Sequence, residues 1–108
     1  MGPAVEGPDG DFYWFKNGIF HREDGPAVKC LDSKDEIRKL YTILWYKNGI
    51  VHREDGPALE NTNGTKEWWI NGVRHREDGP AVEHSSKRKE WWVNGQLHRE
   101  DGPAIEHY

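Results

Sequence analysis

The sequence predicts an all-β repeat domain, an antiparallel meander of about four and a half β-hairpin repeats in a single layer or a coiled sheet. Three observations lead to this fold class. The heptapeptide His-Arg-Glu-Asp-Gly-Pro-Ala recurs unchanged at 21–27, 52–58, 75–81 and 98–104. Each copy follows an aromatic pair and an Asn-Gly dipeptide, a strong signal of a type I′ hairpin turn. Gly accounts for 12 of the 108 residues, as expected of short strands joined by tight turns.

The repeats end near residues 28, 59, 82 and 105, and we expect 1–108 to form one domain. Successive heptapeptides lie 31, 23 and 23 residues apart, because the insertion 29–44 carries eight extra residues. Within it, 32–40 has a composition that fits either a short helix or the tip of an extended hairpin. A shorter copy of the repeat, Gly-Pro-Ala-Val-Glu, occupies 2–6.

The last repeat shows how each unit is expected to fold. Residues 81–84 form a short strand, 85–89 a polar connection and 90–93 a second strand before the Asn-Gly turn. A third short segment covers 96–100, and the Gly-Pro dipeptide ends it because Pro cannot donate to a ladder. At two to three strands per repeat, about nine to twelve short strands are expected.

Strand periodicity places the two residues of each aromatic pair on opposite faces of the sheet. The first row consists of Trp14, Trp45, Trp68 and Trp91, and we expect it to form the core. The second row consists of Phe15, Tyr46, Trp69 and Trp92. This second row either packs inside a coiled sheet or forms a platform for a partner. Together with Tyr108, it supplies the candidate partner-binding residues.

Each heptapeptide contributes a His, an Arg and an Asp that we call a joint, since they are expected to hold the repeat structure together. The joints are His21, Arg22 and Asp24; His52, Arg53 and Asp55; His75, Arg76 and Asp78; and His98, Arg99 and Asp101. We expect His and the Glu two residues later to bond turn backbone and each other. We expect Arg to pair with an acid of the next repeat, giving a ladder of charge pairs along the stack.

The joints also contain residue types that serve in metal, phosphate or catalytic sites. A metal site needs three or four ligands, and neighbouring His-Glu pairs would lie about 9–10 Å apart, so no metal site is expected. An acid beside every Arg argues against a phosphate-gripping row. Ser33, Ser85 and Ser86 lack a nucleophile-elbow motif, and no phosphate-binding glycine loop occurs. We therefore predict no catalytic residues, no cofactor and no enzyme activity.

Composition argues against two further classes of partner. The formal net charge is −4 with acids and bases interleaved, which disfavours general nucleic-acid binding. No apolar run approaches the roughly 18 residues of a membrane span. Cys30 is the only cysteine, and a lone cysteine without a signal peptide fits the reducing cytosol. The sequence therefore predicts a soluble, cytoplasmic protein.

The aromatic-x-Asn-Gly hairpins at 14–18, 45–49, 68–72 and 91–95 resemble the variant MORN-type repeats of bacterial and phage proteins. The heptapeptide departs from the commoner Gly-rich tail of such repeats and is similar to repeat proteins of phages and large DNA viruses. The resemblance spans nearly the whole chain. It implies an elongated β-meander with a binding or scaffolding role, and it brings no catalytic residues with it.

We therefore expect a non-enzymatic protein-binding module that covers the surface of a host or bacterial protein. The resemblance implies one form of it, a phage-encoded inhibitor of a host defence protein in the host cytosol. The alternative is a sequestering receptor for a small nucleotide-like ligand, with an aromatic ring on the base and Arg or His on the phosphate. A homodimer through an edge strand or the second aromatic row is a further hypothesis.

Overall fold

The structure, a computed structural model, describes residues 11–31 and 41–107 together with the backbone of Val5–Glu6. The predicted all-β class is confirmed, because these residues form short antiparallel strands and no helix. In chain order the strands are β1 (Val5–Glu6), β2 (Phe12–Tyr13), β3 (Phe15–Lys16), β4 (Ile19–Phe20), β5 (Val28–Leu31), β6 (Tyr41–Leu44), β7 (Tyr46–Lys47), β8 (Ile50–Val51), β9 (Leu59–Asn61), β10 (Lys66–Glu67), β11 (Trp69–Ile70), β12 (Val73–Arg74), β13 (Val82–Glu83), β14 (Lys89–Glu90), β15 (Trp92–Val93), β16 (Gln96–Leu97) and β17 (Ile105–Glu106).

Nine of the described strands form one antiparallel sheet, the main sheet, in the order β1-β2-β5-β6-β9-β10-β13-β14-β17. The other strands pair as the hairpins β3–β4, β7–β8, β11–β12 and β15–β16. Spatial order in the main sheet follows chain order, so the predicted meander is present. The principal extents are 44 × 35 × 17 Å, and the radius of gyration is 15.0 Å. A compact domain of this length has a radius of about 13 Å, so the fold is thin and extended.

Each repeat changes from the main sheet to its hairpin at the first Trp of the aromatic pair. The sequence predicts one continuous strand over 90–93, whereas β14 and β15 are separate, with Trp91 between them. The Trp91 N–H donates to Ala104 C=O at 2.8 Å, and its C=O accepts from His98 N–H at 3.0 Å. The same interruption at the other repeats explains why the strands outnumber the nine to twelve expected.

The four Asn-Gly turns have the predicted geometry. At every one, φ is 50–53° for Asn and 78–82° for Gly, and a type I′ turn requires positive φ at both positions. The segment after the last turn is shorter than the predicted 96–100, because β16 ends at Leu97, directly before the heptapeptide.

Successive hairpins are joined by main-chain hydrogen bonds that recur at each junction. At the first junction, Gly49 N–H donates to Phe20 C=O at 2.8 Å, and Arg22 N–H donates to Tyr46 C=O at 3.2 Å. At both the second and the third junction, the bond from the Gly N–H is 2.9 Å and the bond from the Arg N–H is 3.1 Å. The repeats are therefore stacked in part through backbone groups that recur in the same place at every junction.

The core lies where the heptapeptide enters the main sheet. The buried apolar residues are Ala27, Val28, Ala58, Ala81 and Val82. They are the Ala that closes the heptapeptide and, in two repeats, the residue after it. The expectation that the first Trp row forms the core is wrong, because each of these rings is only half-buried and has an Arg on one face.

Three features of the sequence fall outside the described residues: the helix-or-hairpin alternative at 32–40, the position of Tyr108, and the start of the shorter repeat copy at 2–4. The strands on either side of the insertion are described. β5 and β6 pair from Val28 opposite Leu44 to Leu31 opposite Tyr41.

Candidate functional site

Every joint Arg lies over the first Trp of its own repeat. The guanidinium carbon is 3.8–4.0 Å from the ring centre for Arg22 over Trp14, Arg53 over Trp45, Arg76 over Trp68 and Arg99 over Trp91. A cation over an indole face is stabilised by about 0.5–2 kcal/mol. The Arg charge is therefore engaged inside each repeat.

The heptapeptide itself holds the other sides of the guanidinium. In all four repeats Nε donates to the Asp two residues on (2.9–3.1 Å), and Nη1 donates to the Pro carbonyl four residues on (3.1–3.3 Å). The Gly leaves room for this packing, because a Cβ on Gly25 would lie 2.8 Å from Arg22 Cζ and 2.9–3.0 Å from the equivalent atom in the other copies, so the guanidinium would have to shift. Trp, Arg, Asp, Gly and Pro thus form one interlocked unit.

The predicted pairing of Arg with an acid of the next repeat occurs at two of the four joints, and every joint Arg also bonds the Asp of its own heptapeptide. The guanidinium of Arg53, by its hydrogen bond and charge, lowers the pKa of Asp55 below the usual value. The acids of the next repeat are Glu residues of the strand that follows the joint. Arg76 bonds Glu83 at 3.1 Å, and in the next repeat Arg99 bonds its equivalent at 2.7 Å.

The joint His is the side chain that reaches the next repeat. Its Nδ1 accepts from the backbone N–H of the Asn in the following turn, at 2.9–3.0 Å, for His21 with Asn48, His52 with Asn71 and His75 with Asn94. Nδ1 is therefore unprotonated, and Nε2 carries the proton. In these three repeats, Nε2 lies 3.4–3.6 Å from the carboxylate of the Glu two residues on, which is long for a hydrogen bond.

Position in the stack decides how exposed the joint His is. Side-chain exposure is 4% at His21, rises through the next two joints, and reaches 56% at His98. Among the described residues no hairpin lies against the fourth joint, so Nδ1 of His98 has no donor there.

The second aromatic row differs between the two halves of the chain. In the N-terminal half it is a cluster of rings: Phe20 lies 5.0 Å from Phe15, 5.2 Å from Tyr46 and 6.1 Å from Tyr13 between ring centres. Pairs at such distances add about 0.5–1.5 kcal/mol beyond burial. These rings pack across the first junction and are half-buried.

In the C-terminal half the second row is part of a polar network. Trp69 Nε1 donates to Glu67 at 2.9 Å, and Trp92 Nε1 donates to Glu90 at 2.8 Å. The Arg74 guanidinium lies between the two indoles, 5.4 and 5.1 Å from their ring centres. Each ring thereby satisfies its N–H internally and keeps part of its surface exposed.

Glu90 is the most deeply buried carboxylate of this network. His84 Nε2 lies 2.9 Å from Glu90 and Arg88 Nε 3.4 Å from it. Burial by itself raises the pKa of Glu90, but the hydrogen bonds from His84 and Trp92 outweigh it, and the pKa lies below its usual value. The carboxylate is therefore held ionised inside the fold.

Exposed apolar residues at the hairpin turns were not singled out by the sequence reasoning. Ile19, Ile50 and Val73 are 40–47% exposed, and each covers the Gly of the next turn. Their signal in the sequence is an aliphatic residue directly after Asn-Gly in three of the four repeats.

The described residues contain no group of three or more His, Cys, Asp or Glu side chains placed to hold a metal ion. The same residues include no helix with the length and apolar character needed to cross a bilayer. Cys30 is half-buried in β5 and has a contact with its surroundings.

The fold and the four joints define an all-β hairpin-repeat protein. Comparison with protein-family models, with curated proteins and with solved structures found no match. The similarity to MORN-type repeats stays a prediction from the residues that carry it.

Proposed function

We propose that the chain is a non-enzymatic protein-binding repeat module whose second aromatic row covers a surface of a protein partner. The observation that carries this proposal is that a half-buried ring with part of its surface exposed occupies the same position in all four hairpins. Large rings with a polar edge are favoured at binding hot spots. The phage-inhibitor form, and action in the cytosol, rest on the sequence resemblance and composition alone.

Surface charge favours a partner with a basic rim. The Glu and Asp side chains of the four heptapeptides are 79–90% exposed, whereas the joint Arg side chains lie against Trp rings. With a net charge of −4, the chain attracts a surface of opposite potential, which speeds association and selects orientation.

The contacts of the joints weigh against the nucleotide-receptor alternative. Phosphate binding would need free guanidinium groups, and every joint Arg already contacts Trp, Asp and a Pro carbonyl. Mass spectrometry of material released by heating the purified protein, with absorbance at 260 and 280 nm, distinguishes the two functions. A released nucleotide would favour the receptor.

Capture from bacterial lysate by immobilised protein tests the second row. Trp69→Ala/Trp92→Ala is expected to lose a partner that the wild-type chain retains at stoichiometric level. A matched control, Ile50→Ser/Val73→Ser, changes exposed residues on the other face of the hairpins and is expected to retain it. The milder pair Trp69→Leu/Trp92→Leu, checked by circular dichroism, separates lost recognition from lost folding. Equal capture by wild type and both Trp variants would rule out the assignment.

A further inference from the structure

A groove lies between each pair of successive heptapeptides, on the face of the hairpins opposite the second aromatic row. The first, second and third junction grooves have volumes of about 350, 780 and 630 Å³. Each is walled by the first Trp of an aromatic pair and by the residue two positions later, which directly follows the second-row ring and so points to the other face. These wall residues are Trp45 and Lys47, Trp68 and Ile70, and Trp91 and Val93.

The charge on the groove walls changes along the stack. With His neutral, the first groove has three carboxylates, two guanidinium groups and the Lys47 ammonium, so its formal charge is zero. The second and third grooves each have four carboxylates and two guanidinium groups, which gives a formal charge of −2. The difference arises because the position of Lys47 is taken by Ile70 and Val93 in the later hairpins.

The carboxylates of the second and third grooves can accept hydrogen bonds from an incoming cation. They are 80–90% exposed, whereas Arg53 and Arg76 lie against Trp rings and bond the Asp of their own heptapeptides. Glu54, Glu77 and Glu100 lie 3.4–3.9 Å from a joint His, which is long for a hydrogen bond. These three Glu side chains are therefore the acceptors best placed for a ligand.

Lys47 indicates which kind of group suits the groove. In the first groove a Lys of the chain itself supplies the positive charge that balances the carboxylates. In the other two grooves Ile70 and Val93 supply apolar surface instead, and the volume is about twice as large. Lys and Arg side chains lay their methylene groups on apolar surface and keep the charge at its polar edge. The later grooves therefore fit a basic side chain from another molecule.

The spacing of the grooves limits the backbone that could carry two such side chains. Adjacent hairpins are bonded edge to edge, with 2.9 Å from Gly72 N–H to Val51 C=O and from Gly95 N–H to Arg74 C=O. Neighbouring grooves therefore lie two strands, about 9–10 Å, apart. A polyproline II helix presents every third side chain on one side at intervals of about 9.3 Å. A β-strand repeats a face every 6.8 Å or so, which does not match.

We propose that the second and third junction grooves bind two basic side chains of one protein segment, a polyproline II segment with Lys or Arg at every third residue. The methylene groups lie on Trp68 with Ile70 and on Trp91 with Val93, and the charged ends reach the Glu carboxylates of the flanking heptapeptides. This surface is separate from the second aromatic row, so it adds a second binding site to the proposed function.

Fluorescence anisotropy of the full chain with a labelled peptide of repeated Lys-Pro-Pro, about twelve residues long, tests this site. The peptide is expected to bind, and added salt is expected to weaken binding. A peptide of alternating Lys-Pro with the same number of lysines is expected to bind about 5-fold more weakly, because its lysines fill only one groove at a time. Failure of Lys-Pro-Pro to bind, or equal binding of alternating Lys-Pro, would overturn the proposal.

Two other ligands distinguish the proposed segment from different occupants. Spermine supplies cations without a peptide backbone, and a helical peptide with Lys at every seventh residue repeats its basic face at about 10.5 Å. Each is expected to bind at least about 5-fold more weakly than Lys-Pro-Pro. Equal binding of spermine would identify a polyamine site, and equal binding of the helix would identify a helical partner; either result contradicts the proposal.

The first groove supplies the variants that test the other two. Ile70→Lys/Val93→Lys gives them the residue of the first groove and is expected to weaken Lys-Pro-Pro binding about 10-fold. The circular dichroism spectrum is expected to stay unchanged, because the first two hairpins already carry Lys16 and Lys47 at this position. Ser85→Lys/Ser86→Lys adds the same charge at exposed residues outside the grooves and is expected to change affinity less than about 2-fold.

Lys47→Ile changes the first groove in the opposite direction and is expected to strengthen Lys-Pro-Pro binding about 3-fold. Equal losses in the groove variant and the Ser85→Lys/Ser86→Lys control would show that only total charge matters, and the groove assignment would be wrong. None of these variants alters the second aromatic row, so their failure leaves the protein-binding proposal in place.

Discussion

The two N-terminal repeats and the two C-terminal repeats share one joint but hold their second aromatic row in different ways. In the N-terminal half, Phe15, Phe20 and Tyr46 pack ring against ring. In the C-terminal half, Trp69 and Trp92 donate hydrogen bonds to the carboxylates of Glu67 and Glu90 and share an Arg between them. The joint therefore keeps the same backbone geometry in all four repeats, while the side-chain contacts of the second aromatic row differ between the two halves.

The exchange involves two positions at once. Where the residue two before the second-row ring is Tyr13 or Leu44, the ring is Phe or Tyr; where it is Glu67 or Glu90, the ring is Trp. An indole N–H needs an acceptor when it is partly buried, and the Glu supplies it. A buried carboxylate needs donors in turn, so neither change is stable without the other.

The largest expected effect comes from breaking the element that both halves share. Arg22→Ala and Arg76→Ala each remove a guanidinium from a Trp face and from two hydrogen bonds. Each variant is expected to lower the free energy of unfolding by about 2–4 kcal/mol in urea denaturation. The loss is expected to be larger for Arg76, which also bonds Glu83. Arg76→Lys, which keeps charge but not the fork, is the control and is expected to recover little.

Exchanging the residue two before the second-row ring between the two halves is expected to lower the free energy of unfolding in both directions. Glu90→Leu leaves the Trp92 N–H and His84 without their acceptor, and Leu44→Glu buries a carboxylate without donors. Each is expected to cost about 1–3 kcal/mol in the same measurement. A neutral result for Leu44→Glu would show that the N-terminal half tolerates the polar chemistry, and the contrast between the halves would disappear.

Lowering the pH is expected to destabilise the C-terminal half because Glu90 becomes protonated. Its pKa is lower in the folded chain than in the unfolded chain, so the ionised carboxylate stabilises the fold above the usual value of 4.5. That contribution is lost as the pH falls through the folded pKa. Urea denaturation at about pH 6 and pH 3 is expected to show a smaller loss for Glu90→Gln than for wild type. An equal loss would show that Glu90 does not carry this pH dependence.

The smallest effect is expected from the His-Glu pairs, which occur in both halves. Glu23 and Glu77 lie 3.6 and 3.5 Å from the joint His, and both side chains are largely exposed. Glu23→Gln and Glu77→Gln are each expected to change the free energy of unfolding by less than about 0.5 kcal/mol. A loss above about 1 kcal/mol in either half would give these pairs a structural role that their geometry does not support.

The repeat count, the all-β class and the type I′ turns could be predicted because each depends on local chemistry. The Asn-Gly dipeptide specifies positive φ at two positions, and self-similarity requires that every unit fold alike. The strand break at Trp91 could not be predicted from periodicity, because the alternation of side chains in the sequence continues through it. The break shows only in the pairing: β14 pairs in the main sheet, and β15 pairs in its hairpin. The predicted core was wrong because the size of the Trp side chains favoured them as core residues. In the structure the most deeply buried positions are small residues such as Ala58, where the heptapeptide enters the main sheet.

Partner choice within the joint also needed the structure. Arg53 and Asp55 are two residues apart, and sequence alone leaves open whether such a pair closes locally or along the stack. The turn at Gly56 decides it, because the bare Cα lets the guanidinium approach its own loop. The Nδ1 contact of His52 with the Asn71 N–H has no signal in sequence, since the donor belongs to the backbone.

That main-chain character has a consequence for how such chains can lengthen. Each junction reads the incoming turn through an Asn N–H, a Gly N–H and a carbonyl, and none of these depends on the side chains presented on the faces. A duplicated 23-residue unit would therefore keep these backbone bonds, whereas the contacts of Phe20 with Tyr46 and of Arg74 with Trp92 require matching side chains in the neighbouring unit. Every added unit would extend the array by about 9–10 Å, the width of two strands. Duplication of the unit would thus lengthen the protein in fixed steps.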